Sequence, residues 1–272
     1  MIRTCKTVKE TAKETNDMKW EGIVLDWAGT TVDFGSMAPV EVFKEIFKEA
    51  GVPATDEEVR KPMGMLKRDH IKTMLAMARI HEAWTAKYGK APDESDVDRL
   101  YSRFEPMLLK VLARGTELKP YVVETMKTLH ERGYKIGSTT GFNNAMMDLV
   151  APSAKEKGYA PDFWVTPDST SEHGRPYPYM IFLNMMYFGW SCVGKVLKVG
   201  DTVADIEEGI HAGCRTAGIV VGSSVMGLTR QEYEALSEEE KKAAEERTAA
   251  VYRKAGADFI IRDIRGLLDI AE

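Results

Sequence analysis

The first candidate for chemistry in this sequence is a carboxylate that ends a short apolar run. Asp26 follows Gly-Ile-Val-Leu at 22–25 and precedes the turn-forming segment Trp-Ala-Gly-Thr-Thr. An apolar run of this length, bounded by turn residues, is typical of a buried parallel strand, and open α/β sheets bind ligands at the carboxyl ends of such strands. We therefore expect Asp26 at the mouth of a sheet, where its carboxylate can attack an electrophile such as phosphorus.

The residue two positions after Asp26 limits the possible reactions. Many phosphate-handling enzymes have Asp-x-Asp at such a turn, where the first Asp attacks phosphorus and the second protonates the departing alkoxide. Ala28 occupies the second position here. A chain that keeps the nucleophile without the acid needs a leaving group that requires no proton at oxygen; otherwise it is not an enzyme.

Two further segments are candidates for holding a phosphoryl group. Thr140 and Gly141 end the segment Gly-Ser-Thr-Thr-Gly, which follows a strand-like run. A hydroxyl and backbone N–H groups at such a point can bind phosphoryl oxygens. Arg175 lies in Gly-Arg-Pro, and its planar guanidinium can pair with both a carboxylate and a phosphate. The alternative interpretation of Arg175 is a solvated loop residue.

An acidic pair indicates a metal. Asp201 ends a strand-like run, and Asp205 follows about one helical turn later. Mg²⁺ prefers carboxylate, carbonyl and water oxygens, so Asp26, the Ala28 carbonyl and Asp201 form a candidate ligand set that water and phosphate would complete. The alternative is that Asp201 caps a helix and that Asp205 is a surface charge.

A lysine in an apolar setting offers a second nucleophile. The spacing predicts a helix over about 63–80, on which Met63, Lys67 and His70 share a face. Apolar neighbours and a cationic His70 would lower the pKa of Lys67 and supply a neutral amine. A Schiff base from this amine to a carbonyl compound accepts the electrons of a breaking carbon–phosphorus bond, which removes the need for an acid at Ala28. The alternative is a lysine that extends its charge to solvent from an amphipathic helix.

The elements that must position these residues alternate along the chain, which predicts an α/β fold with a Rossmann-like parallel sheet. The candidate strands are 22–26, 135–139, 163–166, 196–200, 216–221 and 259–262, with helical patterns at 121–132, 143–158, 177–188, 203–212 and 237–255. The interval 35–116 shows helical patterns at about 39–51, 63–80 and 93–113 and no convincing strand. We therefore predict a core of residues 20–34 and 117–272, an inserted α-helical cap domain at 35–116, and a polar lead-in at 1–19.

Composition sets the remaining expectations. The chain has 272 residues and a formal charge of -5, which argues against nucleic-acid binding. Its three cysteines, Cys5, Cys192 and Cys214, have no metal-ligand spacing, so a reduced, cytoplasmic protein is expected. No apolar run is long enough for a membrane helix, and no membrane partner is expected.

The order of the Asp, Ser/Thr, Arg and acidic motifs resembles the haloacid dehalogenase superfamily. Within it, Asp-Trp-Ala-Gly-Thr-Thr-Val-Asp and Lys-Pro-Met-Gly-Met-Leu-Lys resemble the phosphonoacetaldehyde hydrolases, also called phosphonatases, and the resemblance covers about 20–272. It implies magnesium-dependent hydrolysis of phosphonoacetaldehyde to acetaldehyde and phosphate, in 2-aminoethylphosphonate degradation, by a homodimer that associates through the cap helices. That small phosphonate is the expected partner of the site.

The resemblance also implies a role for each site residue. Asp26 would accept the phosphoryl group and Lys67 would form the imine, while Asp26, the Ala28 carbonyl and Asp201 would bind Mg²⁺. The supporting residues would be Thr140, Gly141 and Arg175 at the phosphoryl group, Asp205 beside the metal, and Met63 and His70 beside the amine. Phe142 and Ser36 depart from the family pattern, in which a tyrosine and a cysteine are expected.

Three other functions are compatible with parts of the pattern. A Mg²⁺-dependent phosphatase or phosphomutase would use the same nucleophile and metal, but Ala28 argues against it. A haloacid dehalogenase is disfavoured because Gly-Asp-x-x-x-Asp at 200–205 indicates a metal. A non-catalytic phosphate-binding relative would not need Asp26, Lys67 and Asp201 together.

Overall fold

The structure is a computed structural model that describes residues 19–272, and its centre is a parallel β-sheet. Within these residues there are five strands in the spatial order β2-β1-β3-β4-β5. Their bounds are β1 Gly22–Leu25, β2 Ile136–Ser138, β3 Val196–Gly200, β4 Arg215–Ile219 and β5 Phe259–Ile261. The predicted α/β class with a Rossmann-like core is confirmed, while the lead-in at 1–19 lies, except for Lys19, outside the described residues.

Strand register determines which side chains meet at the edge of the sheet. Leu25 of β1 is aligned with Ser138 of β2 and with Val199 of β3. Because parallel strands all end at the same edge, the residues that follow these three positions are neighbours in space. Every residue of β1 and β3 is buried, as expected for central strands that are covered on both faces.

Helices cover the two faces of the sheet, and the crossovers between strands supply most of them. The core helices are α6 Val122–Glu131, α7 Asn144–Glu156, α8 Tyr179–Phe188, α9 Val203–Ala212, α10 Arg230–Ala235, α11 Glu238–Ala255 and α12 Gly266–Ile270. Trp20 marks where the described chain enters the core, since its indole Nε1 donates to the carbonyl of Ile270 at 3.0 Å. No helix in the described part of the chain is both long and apolar enough to cross a membrane.

The segment proposed as the cap contains α1 Met37–Glu49, α2 Asp56–Arg60, α3 Lys67–Leu75, α4 Ala78–Tyr88 and α5 Glu94–Leu112. Apolar residues of α1, α3 and α5 pack together, with Phe43 stacked on Phe104 at 4.2 Å between ring centres. The two connections to the core run side by side, because Asp33 N–H donates to the Glu117 carbonyl and Lys119 N–H donates to the Thr31 carbonyl, each at 2.9 Å. The paired connections support the proposed boundaries at 35 and 116.

Two sequence-based predictions of secondary structure are wrong. The strand expected at 163–166 is reduced to one isolated bridge between Val165 and Thr139, because the chain turns away at Pro167 into a 3₁₀ helix.

The helix expected from residue 63 begins only at Lys67 and ends at Leu75. Gly64 has φ +91° and a Cβ there would lie 2.3 Å from the Thr202 hydroxyl, so this residue forms a turn against the core. The predicted shared helical face of Met63, Lys67 and His70 therefore does not include Met63.

Candidate active site

A small cavity lies between the carboxyl edge of the sheet and the cap, and it collects most of the residues that the sequence singled out. It has a volume of about 20 Å³ and is lined by Asp26, Ala28, Ser36, Met63, Gly64, Lys67, Thr140, Gly141, Phe142, Arg175, Asp201 and Thr202. Room for about one water at most indicates that the cap is closed over the core. His70 and Asp205 do not line the cavity and lie behind it.

Three buried carboxylates form the acidic centre of this site. Asp26, Asp201 and Asp205 each place an oxygen within 4.8 Å of the other two. Burial, reinforced by Asp26 and Asp205, raises the pKa of Asp201 well above its usual value. Such crowding of carboxylates is relieved by a bound cation, so this donor set fits a metal ion that prefers oxygen ligands.

Asp201, which directly follows β3, and Asp205 of α9 have different surroundings. One oxygen of Asp201 accepts the Ser224 N–H at 2.7 Å, and the other accepts the Thr30 hydroxyl at 3.3 Å. Asp205 accepts Lys198 Nζ at 2.7 Å and the Thr202 hydroxyl at 2.6 Å. Because Asp205 has these partners, it is better suited to organising the site than to ligating an ion.

Both alternatives for the acidic pair are wrong. The residue that caps α9 is Thr202, whose hydroxyl accepts the Asp205 N–H at 3.2 Å, and Asp201 lies one position earlier. Asp205 is fully buried and is no surface charge. Burial would raise the pKa of Asp205, but Arg175 and Lys198 lower it below its usual value, which keeps this carboxylate ionised.

Arg175 is an internal residue rather than a solvated one. Its Nη1 lies 2.8 Å from Asp26 Oδ1 and 3.1 Å from Asp205 Oδ1. Its Nε donates to Glu208 Oε2 at 2.8 Å, and its Nη2 donates to the Thr139 hydroxyl at 2.8 Å. Burial alone would lower the pKa of Arg175, but the three carboxylates raise it, so it is a permanent cation beside Asp26.

Sequence reasoning missed part of this charge network. Glu208 is fully buried and accepts hydrogen bonds from Arg175 and from the Thr139 hydroxyl, the latter at 3.0 Å, while Lys198 Nζ lies 3.4 Å from it. Two signals could have revealed these residues. Lys198 interrupts an otherwise apolar strand, and Glu208 follows Asp205 by three positions on the same helix face.

Burial also affects the protonation of Asp26. Desolvation, followed by repulsion from Asp205, raises the pKa of Asp26, whereas Arg175 and Lys198 act in the opposite direction. The hydroxyl of Thr31 donates to the Asp26 carbonyl at 3.2 Å, which holds the backbone of the turn. The ion pair with Arg175 therefore holds the Asp26 carboxylate in place and favours its ionised form.

Lys67 comes from the cap and is buried with its amine inside the protein. Its side chain is 4% exposed, and Nζ lies 5.1 Å from the centre of the Phe142 ring. Burial, the largest influence, lowers the pKa of Lys67 to about 8. The alternative of a lysine reaching into solvent is therefore wrong, and the neutral fraction of this amine near neutral pH is far larger than that of an ordinary lysine.

His70 acts differently from the sequence-based expectation. It is fully buried and its ring stacks on Phe43 with 3.8 Å between ring centres. Burial, followed by the charge of Lys67, lowers the pKa of His70 well below its usual value. His70 is thus neutral, so the hypothesis that a cationic His70 lowers the pKa of Lys67 is wrong. Desolvation has that effect instead.

The remaining predicted residues occupy the rim of the cavity. The Thr140 hydroxyl accepts the Phe142 N–H at 3.1 Å, and a Cβ on Gly141 would lie 2.7 Å from the Gly64 and Met65 carbonyls. The glycine therefore lets the cap backbone approach the core. The Phe142 side chain offers no hydroxyl to the site.

Comparisons with known proteins agree with this geometry. Residues 20–213 match the haloacid dehalogenase-like hydrolase family model. The chain is 49% identical over 250 residues to the phosphonoacetaldehyde hydrolase of Lysinibacillus sphaericus, covering 92% of this chain and 93% of that protein. It is 48% identical to the bifunctional phosphonoacetaldehyde hydrolase/aminoethylphosphonate transaminase of Clostridioides difficile, with 93% of this chain matching 40% of that longer protein.

A solved structure is also similar. The phosphonoacetaldehyde hydrolase-like protein from Oleispira antarctica superimposes with a TM-score of 0.89 at 37% sequence identity, over 93% of this chain and 91% of that one. The similarity therefore extends across both the sheet and the inserted helices.

Proposed function

We propose a substrate and a reaction for this chain, which belongs to the haloacid dehalogenase-like hydrolase family and, within it, to the phosphonoacetaldehyde hydrolases. It hydrolyses the carbon–phosphorus bond of phosphonoacetaldehyde to acetaldehyde and phosphate. The observation that carries the proposal is that Lys67, with a pKa lowered to about 8, and Asp26 line one closed cavity in which Ala28 supplies no acid. The identities to named relatives support the same reaction.

Asp26, the carbonyl of Ala28 and Asp201 would hold a Mg²⁺ ion, with Asp205 positioned by Lys198 behind them. The buried carboxylate cluster fits such an ion. When bound, Mg²⁺ supplies positive charge that lets an anionic phosphonate approach a carboxylate. Thr140, Gly141 and Arg175 would face the other phosphoryl oxygens.

The first step belongs to Lys67. Its neutral amine attacks the aldehyde carbon, and loss of water gives an imine that becomes an iminium ion on protonation. Met63 and His70 keep the surroundings of this amine dry, since both are buried. Their role is to maintain the low pKa of Lys67 by excluding water.

The second step belongs to Asp26. Its carboxylate attacks phosphorus, the carbon–phosphorus bond breaks, and the bonding electrons move into the iminium to give an enamine and an aspartyl phosphate. The leaving group departs through carbon and not through an alkoxide oxygen, so the reaction does not need the acid that is absent at Ala28. Protonation of the enamine carbon and addition of water release acetaldehyde and regenerate Lys67, while water hydrolyses the aspartyl phosphate to free Asp26.

The assembly and location of the protein are also part of this proposal. The family resemblance favours a homodimer, and α8 with the residues before it exposes a cluster that a second copy would cover: Tyr177, Tyr179, Phe182, Met186 and Tyr187. This cluster lies on the core rather than on the cap. Cys192 and Cys214 are free thiols in the described chain, which suits a reducing cytoplasm.

Phosphate release from phosphonoacetaldehyde tests the function directly. We expect release with Mg²⁺ and none in EDTA, and little release from phosphate monoesters under the same conditions. Preferential release from monoesters would favour the phosphatase or phosphomutase alternative. No release from any substrate would indicate a non-catalytic relative and overturn the proposal.

A further inference from the structure

Arg60 connects the cap, its linker and the core through one guanidinium group. It ends α2 in the cap segment, and its Nη1 donates to the Gly35 carbonyl at 2.9 Å and to the Ser224 carbonyl at 3.1 Å. Gly35 lies at the start of the cap, and Ser224 lies in the core turn that follows β4. Opening of the cap would have to break the bond to Ser224.

Ser224 passes this contact on to the acidic centre. It is 1% exposed, and its N–H donates to Asp201 Oδ2 at 2.7 Å. Ser224 therefore accepts a hydrogen bond from Arg60 at its carbonyl and donates one from its N–H to Asp201, a proposed metal ligand. Movement of this turn would change the orientation of the Asp201 carboxylate.

The turn at 222–227 fits closely around the arginine. A Cβ on Gly227 would lie 2.9 Å from Arg60 Nε, so glycine is what allows the approach. At the other end of the turn, the Gly222 carbonyl accepts the Gly35 N–H at 2.8 Å. The linker and Arg60 thus hold the turn from two sides.

We infer that Arg60 is a positioning residue that couples closure of the cap to the orientation of Asp201. When the cap closes, Arg60 fixes Ser224 and prepares Asp201 for the metal. By linkage, the metal in turn favours the closed cap that brings Lys67 over Asp26. The inference rests on the proposed metal site, but not on the identity of the substrate.

The test uses Arg60→Met and Arg60→Lys, with Arg79→Met as the matched control. Arg79 also belongs to the cap, but it bonds only within it, to Glu58 at 2.6 Å and to the Pro53 carbonyl at 2.9 Å. Mg²⁺ affinity is measured by calorimetry without substrate. Cap opening is measured as the rate at which acetic anhydride modifies Lys67, relative to exposed Lys127, by peptide mass analysis.

We expect both Arg60 variants to weaken Mg²⁺ binding and to accelerate Lys67 modification, each by about threefold to tenfold, as loss of one or two hydrogen bonds would do. Arg60→Lys keeps the charge and the fold but loses the planar group that spans two carbonyls. Arg79→Met should change neither quantity. A change in only one quantity, or in neither, would overturn the coupling. Both readouts apply even if phosphonoacetaldehyde is not the substrate.

Discussion

The guanidinium of Arg175 lies 2.8 Å from the carboxylate of Asp26, and both side chains are almost excluded from solvent. This ion pair holds the proposed nucleophile, Asp26, before any substrate arrives. Arg175 is itself held from behind by Glu208, whose Oε2 lies 2.8 Å from Arg175 Nε. The orientation of the Asp26 carboxylate therefore depends, through Arg175, on a residue outside the cavity.

The first prediction concerns that outer residue. Glu208→Gln should lower kcat by about tenfold to hundredfold, the usual range for a residue that orients a functional group, because the anionic partner of Arg175 is lost. The stability and the Mg²⁺ affinity should change less than kcat. Glu207→Gln, which alters the exposed neighbouring carboxylate, is the control. Equal kcat values for the two variants would show that Glu208 does not position Arg175.

The order of the strands and helices along the chain could be predicted because most strands contain a short apolar run between turn residues. Asp26 and Asp201 were identifiable because each directly follows such a run. The turn at Gly64, with φ +91°, could not be predicted, since the residue that leaves no room for a Cβ there is Thr202, which is distant in sequence. The strand predicted at 163–166 does not form, because this segment pairs with the sheet at a single residue, opposite Thr139.

Electrostatics was the least predictable property. The neutral state of His70 follows from complete burial against Phe43, which no local pattern reveals. The network of Lys198 and Glu208 depends on a strand and a helix that meet only in the folded protein. Sequence therefore identified the residues that we propose to react, and tertiary packing determined the residues that orient them.

The second prediction concerns Ala28. Ala28→Asp should lower phosphonoacetaldehyde turnover by about tenfold or more, because a second carboxylate beside Asp26 repels the phosphonate. Ala28→Asn has nearly the same shape without the charge and should be less impaired. The measurement is phosphate release, with a monoester panel to detect a small gain of phosphatase activity. An undiminished rate in the Asp variant would show that the position is neutral.

The third prediction concerns the metal. Asp201→Asn should reduce Mg²⁺ affinity by about tenfold or more, since an amide replaces one of the anionic ligands. EDTA should abolish turnover of the native enzyme, and added Mg²⁺ should restore it. Calorimetric titration with Mg²⁺ gives the affinity independently of activity. Full turnover in EDTA would contradict the proposed metal site.

The fourth prediction is a dependence on pH. Lys67 must be neutral to attack, and its pKa is lowered from 10.5 to about 8. Below this value the protonated form predominates, so the rate of imine formation should rise with pH and level off above about 8. Borohydride trapping with substrate, followed from pH 6 to 9.5, measures this rate. A rate that still rises steeply at pH 9.5 would mean that Lys67 has the pKa of an ordinary, solvated lysine when it reacts.

The last prediction separates covalent from electrostatic action by Lys67. Arginine keeps the positive charge, but it remains protonated and forms no imine. Lys67→Arg should therefore lose at least about 10³-fold in kcat while it still folds and binds Mg²⁺. Lys72→Arg, on the exposed side of the same helix, should retain native activity.

Chemical trapping completes this test. Borohydride added together with phosphonoacetaldehyde should inactivate the native enzyme irreversibly, and peptide mass analysis should find a reduced two-carbon or phosphonoethyl adduct on Lys67. Borohydride alone should leave the enzyme active, because no imine is present to reduce. An adduct on another lysine, or near-native turnover of Lys67→Arg, would exclude the Schiff base as assigned. The electrons of the carbon–phosphorus bond would then have to enter the free aldehyde as an enolate, and an uncharged carbonyl is a poorer acceptor than an iminium ion.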